Sequence, residues 1–399
     1  MAATVSTIPQ DAGLEIDFLQ QARNLGPKIA AASEQGERDR KLSADLMSQL
    51  HEAGLFRLLL PKPFNGGEVA PPLFFEVIEE TARHDASTAW CLCQGNGCTM
   101  AAAYLDAEVA AEIWRDDPRA VLAWGPGPGK GVVEGDGYRV TGKWSFASGG
   151  RHANWLGAHV KIVEPDGSSR MLPDGTQAER TMLFPASQTQ FTEIWDVIGL
   201  LGTGSDQFDL TDQFVTHDHS IVRDVAEERR YDAPLYQFKT SNMYAIGFAA
   251  TALGIARTMH EDFLGLAGGK TPRLTRQKLS ENNVVQSEVG QSQARLGSAR
   301  SFLLDEVSEI WQEVSATGRI TLDHRMRIRL ATTFAIHQAK YVADRVYELA
   351  GATAIFKSSP LERRFRDIST VTQQVQGQRR HFETVGAYLL GQPPDESAL

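Results

Sequence analysis

The chain of 399 residues is short of cysteine, has no excess of positive charge and contains no long apolar run. Each shortage excludes something. The three cysteines, Cys91, Cys93 and Cys98, crowd into WCLCQGNGC, and an odd, clustered set is not a disulfide framework. Their C-x-C-x4-C spacing lacks a histidine neighbour and matches no common zinc pattern, so small buried residues on one helix are expected. A formal net charge of −10 argues against nucleic acid as a main partner. No apolar run approaches the ~18 residues of a membrane span, and no basic stretch leads into an apolar one at the N-terminus. A cytoplasmic protein without a membrane partner is expected. Phosphate and metal signatures are also missing. No G-x-G-x-x-G leads from a strand into a helix, GPGPGKG (125–131) lacks P-loop spacing, and there is no H-E-x-x-H. No nucleophile-elbow motif frames a serine. No metal site is expected.

What is present falls into three parts, a multi-domain α and β chain. Residues 1–119 carry helical periodicity at 14–53, 72–84, 87–105 and 106–114, after an unanchored start up to Ala12. Between the first two lie FRLLL, which has the composition of a strand, and the turn PKPFNGGE. In residues 120–240 the pattern changes to short alternating runs broken by glycine and proline, the signature of a β-barrel or sandwich. Two Asp-Gly turns mark a hairpin tip at 164–176. Residues 241–399 return to helix, with long periodic segments at 245–266, 280–315, 323–349 and 365–390. Four long helices with short connections suggest an antiparallel four-helix bundle.

The most unusual stretch is GYRVTGKWSFASGGRHANW (137–155). It predicts a strand, a turn at Gly142, an aromatic strand over 144–148, then a Gly149-Gly150 break. Aromatic faces, a small hydroxyl and a glycine pair suit a wall for a flat ring. On these residues alone, a buried strand bulged at its glycines is the simpler account.

The order helix, β-region, helical bundle, taken with three motifs, resembles the acyl-CoA dehydrogenase superfamily over nearly the whole chain. HEAGLFRLLLPKPFNGGE (51–68) is similar to the family's opening motif. GLLGTGSDQFDLTDQFV (199–215) resembles its last β-domain loop and strand. PLERRFRD (360–367) resembles its Pro-x-x-Arg-x-x-Arg-Asp stretch. Within the superfamily, one set of dehydrogenases places a catalytic glutamate at the eighth residue after the Arg-Asp pair. Here that residue is Val375, which accepts no proton; Glu261, on an earlier helix, is the alternative base. The 137–155 stretch, PLERRFRD and the closing Leu389-Leu390-Gly391 look more like the two-component flavin-dependent monooxygenases. That resemblance implies reduced FMN or FAD from a separate reductase, O2, a C4a-hydroperoxide and a small nucleophilic substrate. It also implies a homotetramer in which a neighbouring subunit completes the flavin site. An acyl-CoA dehydrogenase with FAD and a non-catalytic flavin-binding subunit are the alternatives.

The resemblance also names site residues. Trp144, Phe146 and Ser148 would flank the flavin ring, and Thr203, Gly204 and Ser205 would approach it. Arg273 or Arg276 would meet its phosphate, and Gly351 stands where dehydrogenases pass the adenine half of FAD across the dimer. Ser148 is the candidate hydroxyl at the flavin's reactive edge. Many hydroxylases of this branch carry a histidine at the seventh residue after the Arg-Asp pair; here it is Gln374. Histidine takes a phenol's proton, whereas glutamine only orients a substrate. His152 is the spare candidate base. His381, seven residues beyond Gln374, is expected on the same helix face ~10 Å away. A substrate that needs no deprotonation follows: an amine, a thioether or an electron-rich heteroaromatic such as an indole. Arg366 and Asp367 are expected either to pair with each other or to serve the site.

Overall fold

The computed structural model describes residues 16–396. The chain begins with helices α1 (Phe18–Asp39), α2 (Ala44–Glu52), α3 (Pro71–His84), α4 (Ala86–Thr99) and the short α5 (Ala107–Ala110). Arg40, at φ 53°, ends α1, and Ser43 caps α2 by accepting from the Leu46 amide at 3.2 Å. The start of the chain up to Ala12 lies outside the described residues. FRLLL is not a strand. Phe56 and Arg57 belong to a 3₁₀ turn, Leu55–Arg57, and the Leu58 and Leu59 amides bond to Asn96 Oδ1 at 2.7 and 3.3 Å. Arg57 is buried and donates to the carbonyls of Phe64, Trp114, Asp117 and Pro118. Side chains thus meet the backbone groups that a neighbouring strand would otherwise meet.

Eight strands follow: β1 (Leu122–Gly125), β2 (Gly129–Glu134), β3 (Gly137–Trp144), β4 (Trp155–Val163), β5 (Glu179–Pro185), β6 (Gln190–Thr192), β7 (Gln207–Thr216) and β8 (Ser220–Ile221). They form one sheet in the order β6-β7-β3-β2-β4-β5-β8, with β1 alongside β4. β7 and β5 stand four places apart, about 19 Å in a flat sheet at ~4.8 Å per strand. Yet the rings of Phe208 on β7 and Phe184 on β5 are 6.2 Å apart, so the sheet curls around its own core. Trp144, Val140, Met182 and Leu156 fill that core. The 164–176 segment makes its two turns at Gly167 (φ 87°) and Gly175 (φ 83°), as expected.

Helices α6 (Thr240–Gly269), α7 (Asn283–Thr317), α8 (Leu322–Ala350), α9 (Pro360–Val371) and α10 (Arg380–Leu389) complete the chain. The expected single helix over 365–390 is therefore two. At the break Gln374 is extended (ψ 162°), and its Oε1 captures the Gln376 amide at 2.6 Å. A side chain that bonds its own backbone competes with helix. His381 Nε2 donates to the Val375 carbonyl at 2.7 Å, and His337 Nε2 to the Gly377 carbonyl at 3.0 Å. His381 is thus folded back beside the break rather than spaced along a helix. The larger apolar core is shared: Phe75 and Trp90 of the first helices belong to one cluster with Leu253, Ile336 and Ile368 of the last. Among the described residues no helix is long and apolar enough to cross a membrane.

Candidate active site

The 137–155 stretch leaves the sheet after Trp144, so the expected aromatic strand over 144–148 is interrupted. Phe146 adopts φ +58°, a left-handed conformation costing roughly 1–2 kcal/mol for a residue with a Cβ. Four backbone bonds hold it: Ser145 N to Pro126 O, Ala147 N to Asp206 O, Ser148 N to Phe146 O and Gly149 N to Thr203 O. The reversal splits the stretch. Trp144, fully buried, turns into the sheet core, stacks on Phe208 and donates to the His159 carbonyl at 2.9 Å. Phe146, 59% exposed, and Ser148 turn the other way and line a cavity of about 740 Å³. That volume lies in the range of small-molecule and cofactor sites. The glycine-proline run beside them is structural, since a Cβ on Gly125 would sit 2.0 Å from the Ser145 carbonyl.

One side of the cavity is an aromatic ladder. Trp90 of α4 stacks on Phe248 of α6 (3.9 Å, 15°), which stacks on Tyr244 (5.7 Å, 12°). Such pairs contribute about 0.5–1.5 kcal/mol each beyond burial. α4 is buried on every face, and its three cysteines are free, buried and held as thiols by burial. They are the small buried residues expected. Sequence reasoning absorbed Trp90 into that core segment and so missed it; its spacing of four from Gln94, which also lines the cavity, was the available signal.

From Trp90 of the ladder runs a chain of hydroxyls whose directions can be assigned. Thr203 Oγ1 donates to the Leu200 carbonyl at 2.7 Å. Thr203 and Ser205 hydroxyls are 2.7 Å apart, as are Ser205 and Ser148. Each hydroxyl has one proton. With Thr203's committed, Ser205 donates to Thr203, and Ser148 donates to Ser205. Trp90 Nε1 donates to Ser148 at 3.0 Å. Ser148 is left with one free lone pair and no free proton. The loop bearing Ser205 is clamped by α9: Arg366 donates to the Ile198 carbonyl at 2.8 Å, and the Leu200 amide donates to Asp367 Oδ1 at 2.7 Å. A Cβ on Gly199 would meet the Arg366 carbonyl at 2.3 Å, so only glycine passes there. Arg366 and Asp367 do not form the expected ion pair. Arg366 pairs with Glu362 and Glu37, while burial raises the Asp367 carboxyl to about 7.

Gln374 and Val375 close the cavity from the break between α9 and α10. Val375 is 46% exposed. Gln374 Nε2 is buried with no partner among the described residues, its Oε1 being taken by Gln376. Ser241 Oγ, also in the lining, is a second buried atom without a partner among them. The carboxylates in the lining are engaged: Asp224 accepts from the Thr240 amide and hydroxyl, and Glu396 from Arg325. His159 bonds Thr181 at 2.8 Å, and burial holds its ring well below the ordinary histidine range, hence neutral.

Several expected site residues stand elsewhere. His152 is absent from the lining; its Nε2 accepts from the Leu42 amide at 3.0 Å, and burial lowers its ring to about 4. It ties the turn between α1 and α2 to the sheet and has no part in the cavity as a base. Thr203 is buried behind Ser205, and Gly204 (φ 48°) packs against the Arg40 carbonyl. Arg273 and Arg276 are exposed on the α6–α7 connection, and Gly351 ends α8; none of the three lines the cavity in this chain. Glu261 pairs with Arg83 at 2.9 Å in a different cavity. Among the described residues no cluster of His, Cys, Asp and Glu could hold a metal.

Comparison with known proteins agrees with this geometry. The family model described as "Acyl-CoA dehydrogenase, C-terminal domain" matches residues 246–378. The chain is 31% identical to the indole-3-acetate monooxygenase of Pseudomonas putida over 360 residues, covering 90% of each chain. It is 25% identical to the flavin-dependent monooxygenase oxygenase subunit HsaA of Mycobacterium tuberculosis, covering 94% of this chain and 96% of that one. XiaF from Streptomyces, solved in complex with FADH2 and glycerol, shares the fold at a TM-score of 0.88 and 22% identity, covering 96% and 97%. The protein therefore belongs to the acyl-CoA dehydrogenase superfamily, in its branch of flavin-dependent monooxygenase oxygenase components. It is an oxidoreductase of the two-component type.

Proposed function

We propose that the aromatic cavity is where reduced flavin, FMN or FAD, and an electron-rich aromatic substrate meet. The observation that carries this reading is the direction of the hydroxyl chain. A reduced flavin ring bears an N–H where the oxidised ring bears a bare nitrogen. Ser148, with a free lone pair and no free proton, suits the reduced form. When bound, reduced flavin supplies the activation of O2 and the oxygen atom transferred. The chain's residues do the rest. The Trp90–Phe248–Tyr244 ladder excludes water, Ser148 accepts a hydrogen bond, and Gln374 Nε2 donates one that orients flavin or substrate.

No group in the lining is an uncommitted strong base, since Asp224 and Glu396 accept from the protein and burial leaves the His159 ring too weakly basic to hold a proton. The same absence of a free carboxylate weighs against an acyl-CoA dehydrogenase. The substrate is accordingly one already nucleophilic toward oxygen: an indole, another electron-rich heteroaromatic, an amine or a thioether. The relative from Pseudomonas putida bears the name of an indole derivative. A separate reductase delivers the flavin in the cytoplasm. A homotetramer, in which a neighbouring subunit brings the flavin's remote end to Arg273, Arg276 and Gly351, completes the reading. It keeps the division into residues 1–119, 120–240 and 241–399.

The test mixes anaerobically reduced FMN, and separately reduced FAD, with the protein, then adds O2 and indole. Expected are slowed flavin reoxidation and product one oxygen atom heavier than indole. Reoxidation at the free-flavin rate with no product, or bound FAD bleached by an acyl-CoA, overturns the reading. Gln374→Ala should raise KM about 3- to 10-fold with kcat retained, the loss of one hydrogen bond worth about 1 kcal/mol. A fall in kcat at unchanged KM would contradict an orienting role.

A further inference from the structure

We infer that the substrate is an aromatic monocarboxylate and that Arg223, with Ser241, forms the subsite for its carboxylate. The inference rests on the oxygenase reading but is carried by separate observations. Arg223 lines the cavity just beyond β8, with its guanidinium over the Trp124 ring at 5.0 Å. Among the described residues it has no ion pair or hydrogen bond, whereas most other partly buried arginines here have carboxylate or carbonyl partners. Arg223 is half-buried, and the fork of donors it brings to the cavity is available to an anionic ligand.

Its neighbours fix where it stands. The Asp224 carboxylate is bound to the Thr240 amide and hydroxyl, so the 223–224 segment abuts the first turn of α6. Ser241 and Tyr244 are one turn apart on α6 and both line the cavity. Arg223 lies close enough to Tyr244 and His159 to bias both electrostatically. The Ser241 hydroxyl is buried without a partner, so arginine and hydroxyl offer donors at one end of the cavity. Ser148, the acceptor, bonds Trp90, at the end of the ladder away from Tyr244. Asp224 and Glu396 also face the cavity, but both already accept from the protein.

A carboxylate suits these donors better than a flavin phosphate, the other anion within reach of such a cavity. Trp124 covers one face of the guanidinium and leaves its edge, which matches a carboxylate in a planar, two-point fashion.

The test measures affinity for indole-3-acetate, and for its neutral isostere indole-3-acetamide, by titration of the flavin-free protein; binding of reduced FMN is measured separately. For the unaltered protein indole-3-acetate should bind the tighter. Arg223→Gln should cut that preference about 30-fold or more, Arg223→Lys should restore part of it, and Ser241→Ala should cut it severalfold, with FMN affinity unchanged throughout. Equal loss for acid and amide, or lost affinity for FMN rather than for the acid, overturns the inference. Because the titration needs no turnover, it stands or falls apart from the oxygen-transfer experiment.

Discussion

Among the described residues, a cavity of about 740 Å³ beside Ser148 and one of about 710 Å³ beside Glu79 are nearly equal in size and opposite in chemistry. In the second, charges answer each other. Arg300 Nε meets both oxygens of Glu79 at 3.0 and 2.8 Å, Arg257 adds a contact at 3.3 Å, and Arg83 bridges Glu80 and Glu261. In the first, a serine lone pair, a glutamine amide, a serine hydroxyl and an arginine are left over. Volume does not distinguish a site from a packing space. The charged cavity also leaves Arg83 Nε and His260 Nε2 without partners among the described residues, so what sets the first apart is that its unmatched groups stand around an aromatic wall.

The contrast can be broken by experiment. The largest expected effect is on stability in the charged cavity. Glu79 is 3% exposed, and Glu79→Ala strands two guanidinium groups. Breaking a buried pair costs about 3–5 kcal/mol, trimmed here to roughly 2–3 because both arginines are about a third exposed. Chemical denaturation should show this loss while reduced-flavin affinity holds; a loss of flavin affinity would erase the distinction between the cavities.

Ser148→Ala should do the reverse. It removes the acceptor and leaves Trp90 Nε1 unpartnered, so reduced flavin should bind about tenfold more weakly and oxygen transfer to substrate should fall with it. Stability should change by only about 1 kcal/mol. Equal flavin affinity in the variant would remove Ser148 from the site.

A pH-dependent effect concerns the clamp between α9 and the Ser205 loop. Asp367 titrates at about 7 when folded because burial disfavours its charge. Its unfolded value is near 3.9. Between these values the folded state holds the extra proton, so stability falls as pH rises and the penalty is complete above 7. Asp367→Asn keeps an oxygen for the Leu200 amide and should flatten the stability profile between about pH 4 and 7. An unchanged slope would assign the pH dependence to other groups.

How much of this was legible in the sequence differs by element. The helix–sheet–helix order and the placing of Ser148, Ser205 and Gln374 in one cavity lining followed from motifs, because those residues stand on loops that few other constraints shape. The strand at FRLLL failed because Asn96, 37 or more positions away, takes the backbone amides. The single last helix failed because Gln374 captures its own backbone and hides the break within a helical periodicity. Arg223, Ser241 and Tyr244 were missed because each follows an ordinary strand or helix pattern. Only the fold reveals that nothing answers the arginine. His152 misled for the opposite reason: a histidine in a promising motif is used up holding an amide of a distant turn.

The hydroxyl chain has one further consequence. It ends at the Leu200 carbonyl, a group that accepts a hydrogen bond but no proton at ordinary pH. Trp90, at the head, gives up none either. Ser148, Ser205 and Thr203 therefore act as an electrical insulator: they fix a dipole toward the cavity yet offer acid no path to the outside. A short-lived species in the cavity is sheltered from leakage on that side, and traffic of protons must use another part of the lining.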